Sequence, residues 1–235
     1  MKFRRSKSEQ ADVDPSTASG ESGDPTSAET DAVATADSAE GGPRASGPWD
    51  ISEVQLDEDD TSKLDLGSLV VTPREGLDLQ LQVDEQSGQV VAVVLAGEKG
   101  AVELRAFAAP RNGDIWGDVR HQIAAEVTRR GGTASENEGP WGPELRVAMT
   151  MTMPDGRSGQ QPSRVFGISG PRWLLRATFF GQPAVEPDDD GLVESALRDV
   201  IVRRGGEPHA PGEALPLTVP PAVAAQMQEA QARKV

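Results

Sequence analysis

Hydrophobic and polar residues alternate strictly over positions 77–83, where Leu79 and Leu81 are each followed by a glutamine. This period of two predicts a strand with one face toward water. Positions 90–95 are apolar on both faces, which predicts a strand that is covered on both sides. A third strand is predicted at 101–108. Because turn residues separate the three segments, we expect an antiparallel meander.

After this meander the hydrophobic period lengthens to three and four residues, which is typical of an amphipathic helix. The repeating apolar positions are Trp116, Val119, Ile123 and Val127. Asn112 is expected to cap this helix, with Asp114 in its first turn, where the helix dipole favours an anion. Gly131 and Gly132 are expected to end it.

A second strand-rich block follows the first predicted helix. From Leu145 to Met153 the odd-numbered positions are apolar, and the even-numbered ones from Arg146 to Thr152 face the other way. Two further strands are predicted at 161–168 and 171–180, again as a meander. Pro187 and Asp188 then open a second helix, whose apolar stripe runs over 192–201.

The order of elements is strands, helix, strands, helix, which favours an α+β fold rather than alternating parallel units. We predict an antiparallel β-sheet of about six or seven strands with two main helices packed on it. The predicted single domain covers 48–221 and ends in an extended, proline-rich arm, and 222–235 form a short helical or frayed tail. Residues 1–47 form an acidic segment with too few large apolar residues to fold, and we expect a disordered tail there.

Composition narrows the possible chemistry. The 235-residue chain has 38 acidic and 23 basic residues, a formal net charge of -15, and no cysteine. Thiol nucleophiles, disulfides and thiolate metal sites are therefore excluded. The negative charge makes nucleic acid an unfavourable partner. No apolar run follows the basic residues at the N-terminus, as a signal peptide would require. The longest apolar stretch, at 90–96, is too short for a membrane helix, so we expect a cytoplasmic protein without membrane insertion.

Catalytic and cofactor motifs are missing from the sequence. His121 and His209 are the two histidines, and neither belongs to a metal-binding pattern. The chain has no Gly-x-Ser-x-Gly elbow, no Walker loop and no dinucleotide-binding glycine pattern. We therefore predict no catalytic, metal or cofactor site, and an enzymatic role is the less favoured interpretation.

Arginines in predicted strands are the most distinctive feature of the domain: Arg105, Arg146, Arg164, Arg172 and Arg176. In the right register several of them would share one sheet face and form a cationic groove for an anion or an acidic peptide. The alternative is that they are outward, solubilising residues paired with acids. Trp116 and Trp173 are expected in the core, whereas Trp141 is either a core anchor or part of the binding face.

Three segments together resemble an actinobacterial family known as domain of unknown function 3710. They are Gly-Pro-Trp-Asp-Ile-Ser-Glu-Val at 47–54, Ala-Phe-Ala-Ala-Pro-Arg at 106–111, and Gly-Pro-Arg-Trp-Leu-Leu-Arg at 170–176. The resemblance covers about 47–220; it implies a domain but no activity. The layout around Gly-Pro-Trp-Gly-Pro-Glu-Leu at 139–145 resembles the PsbP/Mog1-like fold, which implies a binding or assembly protein.

Two function classes follow from these observations. The first is a non-catalytic binding or adaptor module, whose partner is another protein or a small anion. The alternative is an enzyme or a small-anion-binding protein that uses an arginine-lined sheet face. A deep pocket with converging arginines and acids would favour an enzyme, whereas a flat polar face would favour the module.

Overall fold

A computed structural model of the chain describes residues 44–57, 62–152 and 158–220, with only the backbone of Thr152. The predicted N-terminal tail lies outside the described residues except for 44–47. The predicted tail at 222–235 lies wholly outside them. None of the helices in these ranges has the length and apolar character needed to cross a membrane.

Strands dominate the described part of the chain. They are β1 (Trp49–Asp50), β2 (Leu64–Asp65), β3 (Leu69–Val71), β4 (Asp78–Val83), β5 (Val90–Ala96), β6 (Gly100–Ala108), β7 (Thr133–Gly139), β8 (Gly142–Thr152), β9 (Ser158–Gly170), β10 (Trp173–Gly181) and β11 (Ile201–Val202). The α-helices are α1 (Trp116–Arg129), α2 (Gln182–Val185) and α3 (Leu192–Arg198), and one 3-10 turn spans Ile51–Glu53. These elements confirm the predicted α+β class.

Two sheets form from these strands. The larger has seven antiparallel strands in the order β4-β5-β6-β10-β9-β8-β7. The smaller has the order β1-β11-β3-β2, in which β1 and β11 run parallel. Both predicted meanders are therefore confirmed. Strand β7 was not predicted, because its sequence Thr-Ala-Ser-Glu-Asn-Glu-Gly is polar. Pairing with β8 stabilises this strand at the edge of the sheet.

Each face of the larger sheet packs against a different layer. On one face, Trp116 and Val127 of α1 pack against Leu145, Val147, Val165 and Leu174. On the other face, the smaller sheet and α3 cover the main core. Its largest members include Leu66, Leu69, Phe166, Trp173, Phe179 and Leu197. The sheet is thus the middle of three layers, and the predicted core positions of Trp116 and Trp173 are confirmed.

Helix α1 begins four residues later than the predicted cap. The Trp116 backbone N–H donates to the Asp114 carboxylate at 2.9 Å. Asp114 rather than Asn112 therefore accepts a hydrogen bond from a backbone N–H at the start of the helix. The Trp116 indole donates to the Pro143 carbonyl at 2.7 Å. Its ring lies on Gly167 of β9, where an added Cβ would come within 2.1 Å of the ring. A glycine at 167 therefore lets the helix dock.

The second predicted helix is shorter in the structure. Helix α3 begins at Leu192 rather than at Pro187, and Val200 and Ile201 lie beyond its end. The short helix α2 precedes Pro187 and was not predicted. Ile201 pairs with Trp49 of β1 and Val70 of β3 instead of continuing the helix. Branched residues suit this pairing, since they pack well on a sheet and lose side-chain freedom in a helix.

The proline-rich arm lies against the larger sheet. The Leu215 N–H donates to the Ala106 carbonyl at 2.9 Å, and the Thr218 N–H donates to the Leu66 carbonyl at 2.9 Å. Leu215 is buried and Leu217 packs against the main core. Strand β5 pairs with β6 only as far as Leu104. Beyond that residue, the arm lies beside β6 in place of β5.

Replacing Gly167 with alanine is expected to lower the free energy of unfolding by about 1–3 kcal/mol, because the new methyl group displaces the Trp116 ring. The control is Gly117→Ala, in α1, where no atom lies within 4 Å of an added Cβ. That change should leave stability equal or raise it by roughly 1 kcal/mol, since alanine favours a helix. Urea denaturation followed by tryptophan fluorescence measures both, and equal effects of the two substitutions would contradict this packing.

Candidate functional site

The five arginines of the predicted face are divided by the register of the sheet. Arg164 lies directly opposite Arg146 across β9 and β8, whereas Arg176 lies directly opposite Arg105 across β10 and β6. The first pair faces the main core and the smaller sheet, and the second pair faces the side that carries α1. Arg172 lies in the turn between β9 and β10, with a φ of 61°. A single face of five arginines is therefore not formed.

Arg164 belongs to a buried ion pair. Its Nη2 and Nε atoms donate to Oε2 of Glu144 at 2.9 and 3.2 Å, and Nη1 donates to the Pro183 carbonyl at 2.8 Å. The guanidinium centre lies 4.9 Å from the ring centre of Phe166. Neither ionic residue has more than 2% of its surface exposed. Because its donors are used inside the protein, Arg164 has a structural role.

Trp141 is a core residue rather than part of an exposed face. Only 5% of its surface is exposed, and its ring meets Phe166 edge-on at 5.1 Å and lies parallel to Phe179 at 6.2 Å. The indole N–H donates to the Gly47 carbonyl at 3.2 Å. Trp141 therefore joins the β7–β8 turn to the start of the domain, as the anchor interpretation predicted.

Arg105 and Arg176 form the second pair, and they share a single carboxylate. The Nε atom of Arg105 lies 2.7 Å from Oε1 of Glu103, while Nη2 of Arg176 lies 3.9 Å from the same oxygen. Arg105 also donates to the Gln82 side chain at 3.2 Å. Two cations facing one anion leave a net positive charge on this face.

Arg176 is the more enclosed member of this pair. Its guanidinium centre lies 5.3 Å from the ring centre of Phe107. Burial lowers the pKa of Arg176 from its ordinary value, the charge of Arg105 lowers it further, and Glu103 partly offsets both effects. The direction shows that the present surroundings do not fully compensate its positive charge.

A groove lies between α1 and the open part of the sheet, next to this arginine pair. Helix α1 packs against β7, β8 and β9, and beside it a hollow of about 740 Å³ remains. Its apolar lining includes five half-buried residues, Phe107, Ile115, Val119, Ile123 and Met149. Arg176 is part of the same wall, and Arg129 and Arg130 lie at the rim paired with Glu126. We call this hollow the α1 groove.

Histidines contribute nothing to the α1 groove. The His121 side chain is 71% exposed and lies 3.6 Å from Glu136, and His209 lies 3.2 Å from Glu213. Hydrogen bonds from the Ala210 N–H and the His209 side chain lower the pKa of Glu213. In the part of the chain that the structure describes, no group of three or more histidines and acids is arranged to hold a metal ion.

Sequence reasoning missed three residues that determine these sites: Phe107, Glu144 and Glu194. Glu144 follows a proline on the polar side of an alternating strand, and Glu194 lies outside the predicted apolar stripe of its helix, so neither pattern indicates a buried acid. Both are buried because a second layer covers them. The alternation of β6 does place Phe107 on the same face as Arg105, and that signal was available in the sequence.

The chain belongs to the family described as "Protein of unknown function (DUF3710)", which matches residues 47–226. This confirms the resemblance seen in the three sequence segments. A search of curated proteins finds no match.

Similar solved structures are distant. A crystal structure from Bacteroides thetaiotaomicron VPI-5482 shares 11% identity, with a TM-score of 0.35, over 69% of this chain. The chain spans about half, 54%, of that protein's length. The solution structure of the cyanobacterial PsbP protein CyanoP from Synechocystis sp. PCC 6803 shares 8% identity, with a TM-score of 0.34. That match covers 63% of this chain and 98% of CyanoP. Both similarities are weak.

Replacing Arg164 with methionine is expected to cost about 3–5 kcal/mol of stability, because the buried Glu144 carboxyl group beside the aromatic cluster would lose two of its hydrogen bonds. Arg146→Gln is the matched control. It removes the other arginine that contacts the same carboxylate, at 2.8 Å, from a position where the side chain is half exposed. Its expected cost is about 1 kcal/mol or less. Chemical denaturation compares the two, and a larger cost for Arg146→Gln would contradict the assignment.

Proposed function

We propose that this member of the DUF3710 family is a non-catalytic binding module, and that its α1 groove holds an acidic, partly apolar segment of a partner protein. The observation that carries this proposal is the pair of Arg105 and Arg176, which share one carboxylate beside an apolar groove. We place the module in the cytoplasm, as the sequence predicts.

Charge is the first argument for an acidic segment. The Nη2 atom of Arg176 is 3.9 Å from Glu103, beyond hydrogen-bond distance, so its donors remain able to receive a second carboxylate. Hydrogen bonds between two charged groups are about twice as strong as neutral ones, and a guanidinium can bind a carboxylate through two parallel bonds. An incoming acid would also relieve the repulsion between Arg105 and Arg176.

The apolar lining is the second argument, and it favours a peptide over a free small anion. Covering apolar surface contributes roughly 25 cal/mol for each Å² removed from water. Phosphate or another small anion would contact the arginines and leave the half-buried Ile115, Val119 and Ile123 uncovered. A segment with an apolar side chain next to an Asp or Glu would use both parts of the groove.

An enzyme is the weaker alternative for this groove. Among the described residues that line it, the only carboxylate is Glu126, which pairs with Arg129 and Arg130. The same lining residues include no histidine or serine. General acid–base or nucleophilic catalysis needs a group of that kind within reach of the substrate.

A phage-displayed library of random 12-residue peptides, selected on the immobilised full-length protein, tests this proposal. We expect enriched peptides to carry Asp or Glu next to a large apolar residue. Their affinity should fall roughly tenfold to a hundredfold for the double variant Arg105→Gln, Arg176→Gln, because hydrogen bonds to charged groups contribute about 1.5–3 kcal/mol. Arg111→Gln, in an exposed loop, is the control and should bind like the unmodified protein.

Val119→Ser separates the apolar contribution from the charge contribution. It changes a half-buried groove residue without altering the arginines, and we expect it to weaken peptide binding while leaving the salt dependence unchanged. Enrichment of peptides without acidic residues, or equal binding by the double arginine variant, would overturn the proposal. Displacement of the peptides by inorganic phosphate at equal affinity would instead favour the small-anion alternative.

A further inference from the structure

A second cavity, of about 340 Å³, lies apart from the α1 groove and shares no lining residue with it. One wall is the turn between β5 and β6, at 97–100, and another is α2. Gly191, Leu192, Val193 and Glu194, at the start of α3, complete it together with Asp188. Its volume lies within the range of small-molecule sites, roughly 300–1,000 Å³.

Glu194 is the unusual residue of this cavity. Only 3% of its surface is exposed, and its Oε1 atom has no hydrogen-bond partner in the described residues. Burial raises the pKa of Glu194 above its ordinary value, and the backbone N–H groups of Glu194 and Asp188 and the charge of Arg164 only partly offset that effect. A buried acceptor without a donor destabilises the folded protein. A ligand with a donor at this position would remove that penalty.

The other charges around the cavity are mostly negative. Glu98, Glu186 and Asp188 line it with Glu194, and Lys99 is the one cation among the described lining residues. Glu186 accepts a hydrogen bond from the Gln182 side chain at 3.1 Å. Arg164, the nearby cation named above, already donates to Glu144 and to the Pro183 carbonyl. A positively charged ligand is therefore favoured.

Apolar surface accompanies these acids. Pro183 and Val193 are buried in the wall, and the Leu192 side chain, beside them, is 43% exposed. A leucine exposed next to a buried carboxylate suits a ligand that is charged at one end and aliphatic along its length. An inorganic cation would need several oxygen ligands at short range. The described residues place no such group of three here.

We propose that this cavity binds a compact organic cation, an ammonium or guanidinium group on a short aliphatic stem, with Oε1 of Glu194 as the anchoring acceptor. The cationic head donates to Oε1, and the stem lies along Leu192 and Pro183. Glu98, Glu186 and Asp188 raise the local concentration of cations at the entrance. This site is independent of the α1 groove and of its proposed partner.

Titration of the ¹⁵N-labelled full-length protein with 1,4-diaminobutane and with agmatine tests the site. We expect saturable amide shifts confined to Gly76, 97–100 and 182–194, the segments that line the cavity. Glu194→Gln should weaken binding by roughly tenfold or more, because it replaces a charged acceptor with a neutral amide. Glu85→Gln, an exposed acid in the turn between β4 and β5, is the matched control and should bind normally. The neutral isostere 1,4-butanediol should cause no shifts.

The stability of the ligand-free protein provides a second readout. If Glu194 had a purely structural role, replacing it would lower Tm, whereas an anchoring acceptor without a partner predicts a rise. The pKa of Glu194 is raised in the folded state, so in the pH range between the unfolded and the folded pKa the folded protein binds more protons than the unfolded chain. Its stability therefore falls as the pH rises through the folded pKa. Glu194→Gln should therefore raise Tm, and by more at pH 8 than at pH 5. Glu98, Lys99, Glu186, Asp188 and Arg164 are present in both proteins, so the difference between them isolates Glu194.

Three results would overturn the proposal. The first is equal binding of the diamine by the Glu194→Gln variant. The second is a lowered Tm of that variant, which would mean that Glu194 stabilises the free fold. The third is calcium chloride causing the same amide shifts while the amines cause none, which would assign the cavity to a metal ion. None of these results depends on the peptide selection at the α1 groove.

Discussion

The buried ion pair between Glu144 and Arg164 is the contact on which much of the central layer depends. It joins β8 to β9 through two hydrogen bonds, and it holds α2 through the Pro183 carbonyl. The same guanidinium lies over Phe166 and Phe179, which pack with Trp141. Trp141 in turn bonds to Gly47 at the start of the domain. Such a pair is stable because every strong donor has an acceptor; removing one partner leaves a buried charge.

The two arginine pairs have similar positions on neighbouring strands, but they have different partners in this fold. Arg164 and Arg146 face the layer formed by the smaller sheet and α3, and the buried carboxylate of Glu144 bonds to both. Arg176 and Arg105 face the side where α1 leaves a groove, and Glu103 binds one of them closely. The difference comes from how completely Arg164 and Arg176 are covered. Arg164 is buried and needs internal partners, whereas the partly exposed Arg176 retains charge for an external one.

The two candidate sites both lie where the fold leaves an interaction incomplete. In the α1 groove the deficit is a negative charge beside Arg176, and in the second cavity it is a hydrogen-bond donor beside Glu194. Incomplete interactions of this kind cost stability. Natural proteins tolerate that cost mainly at functional sites, where a ligand can complete the interaction. The two proposed ligands accordingly have opposite charges, an acidic segment for the α1 groove and an organic cation for the second cavity.

Local sequence patterns by themselves determined most of the strands, helix α1 and the core positions of Trp116 and Trp173. They did so because alternation and three- to four-residue spacing are properties of neighbouring side chains. Contacts between distant segments decided the rest. Strand β7 exists because β8 pairs with it, and Ile201 leaves the helix because β1 and β3 offer it hydrogen bonds. Arg164 and Arg176 look alike in the sequence, each on an alternating strand. Only the layer packed over each one decides which is an internal ion pair and which faces a groove.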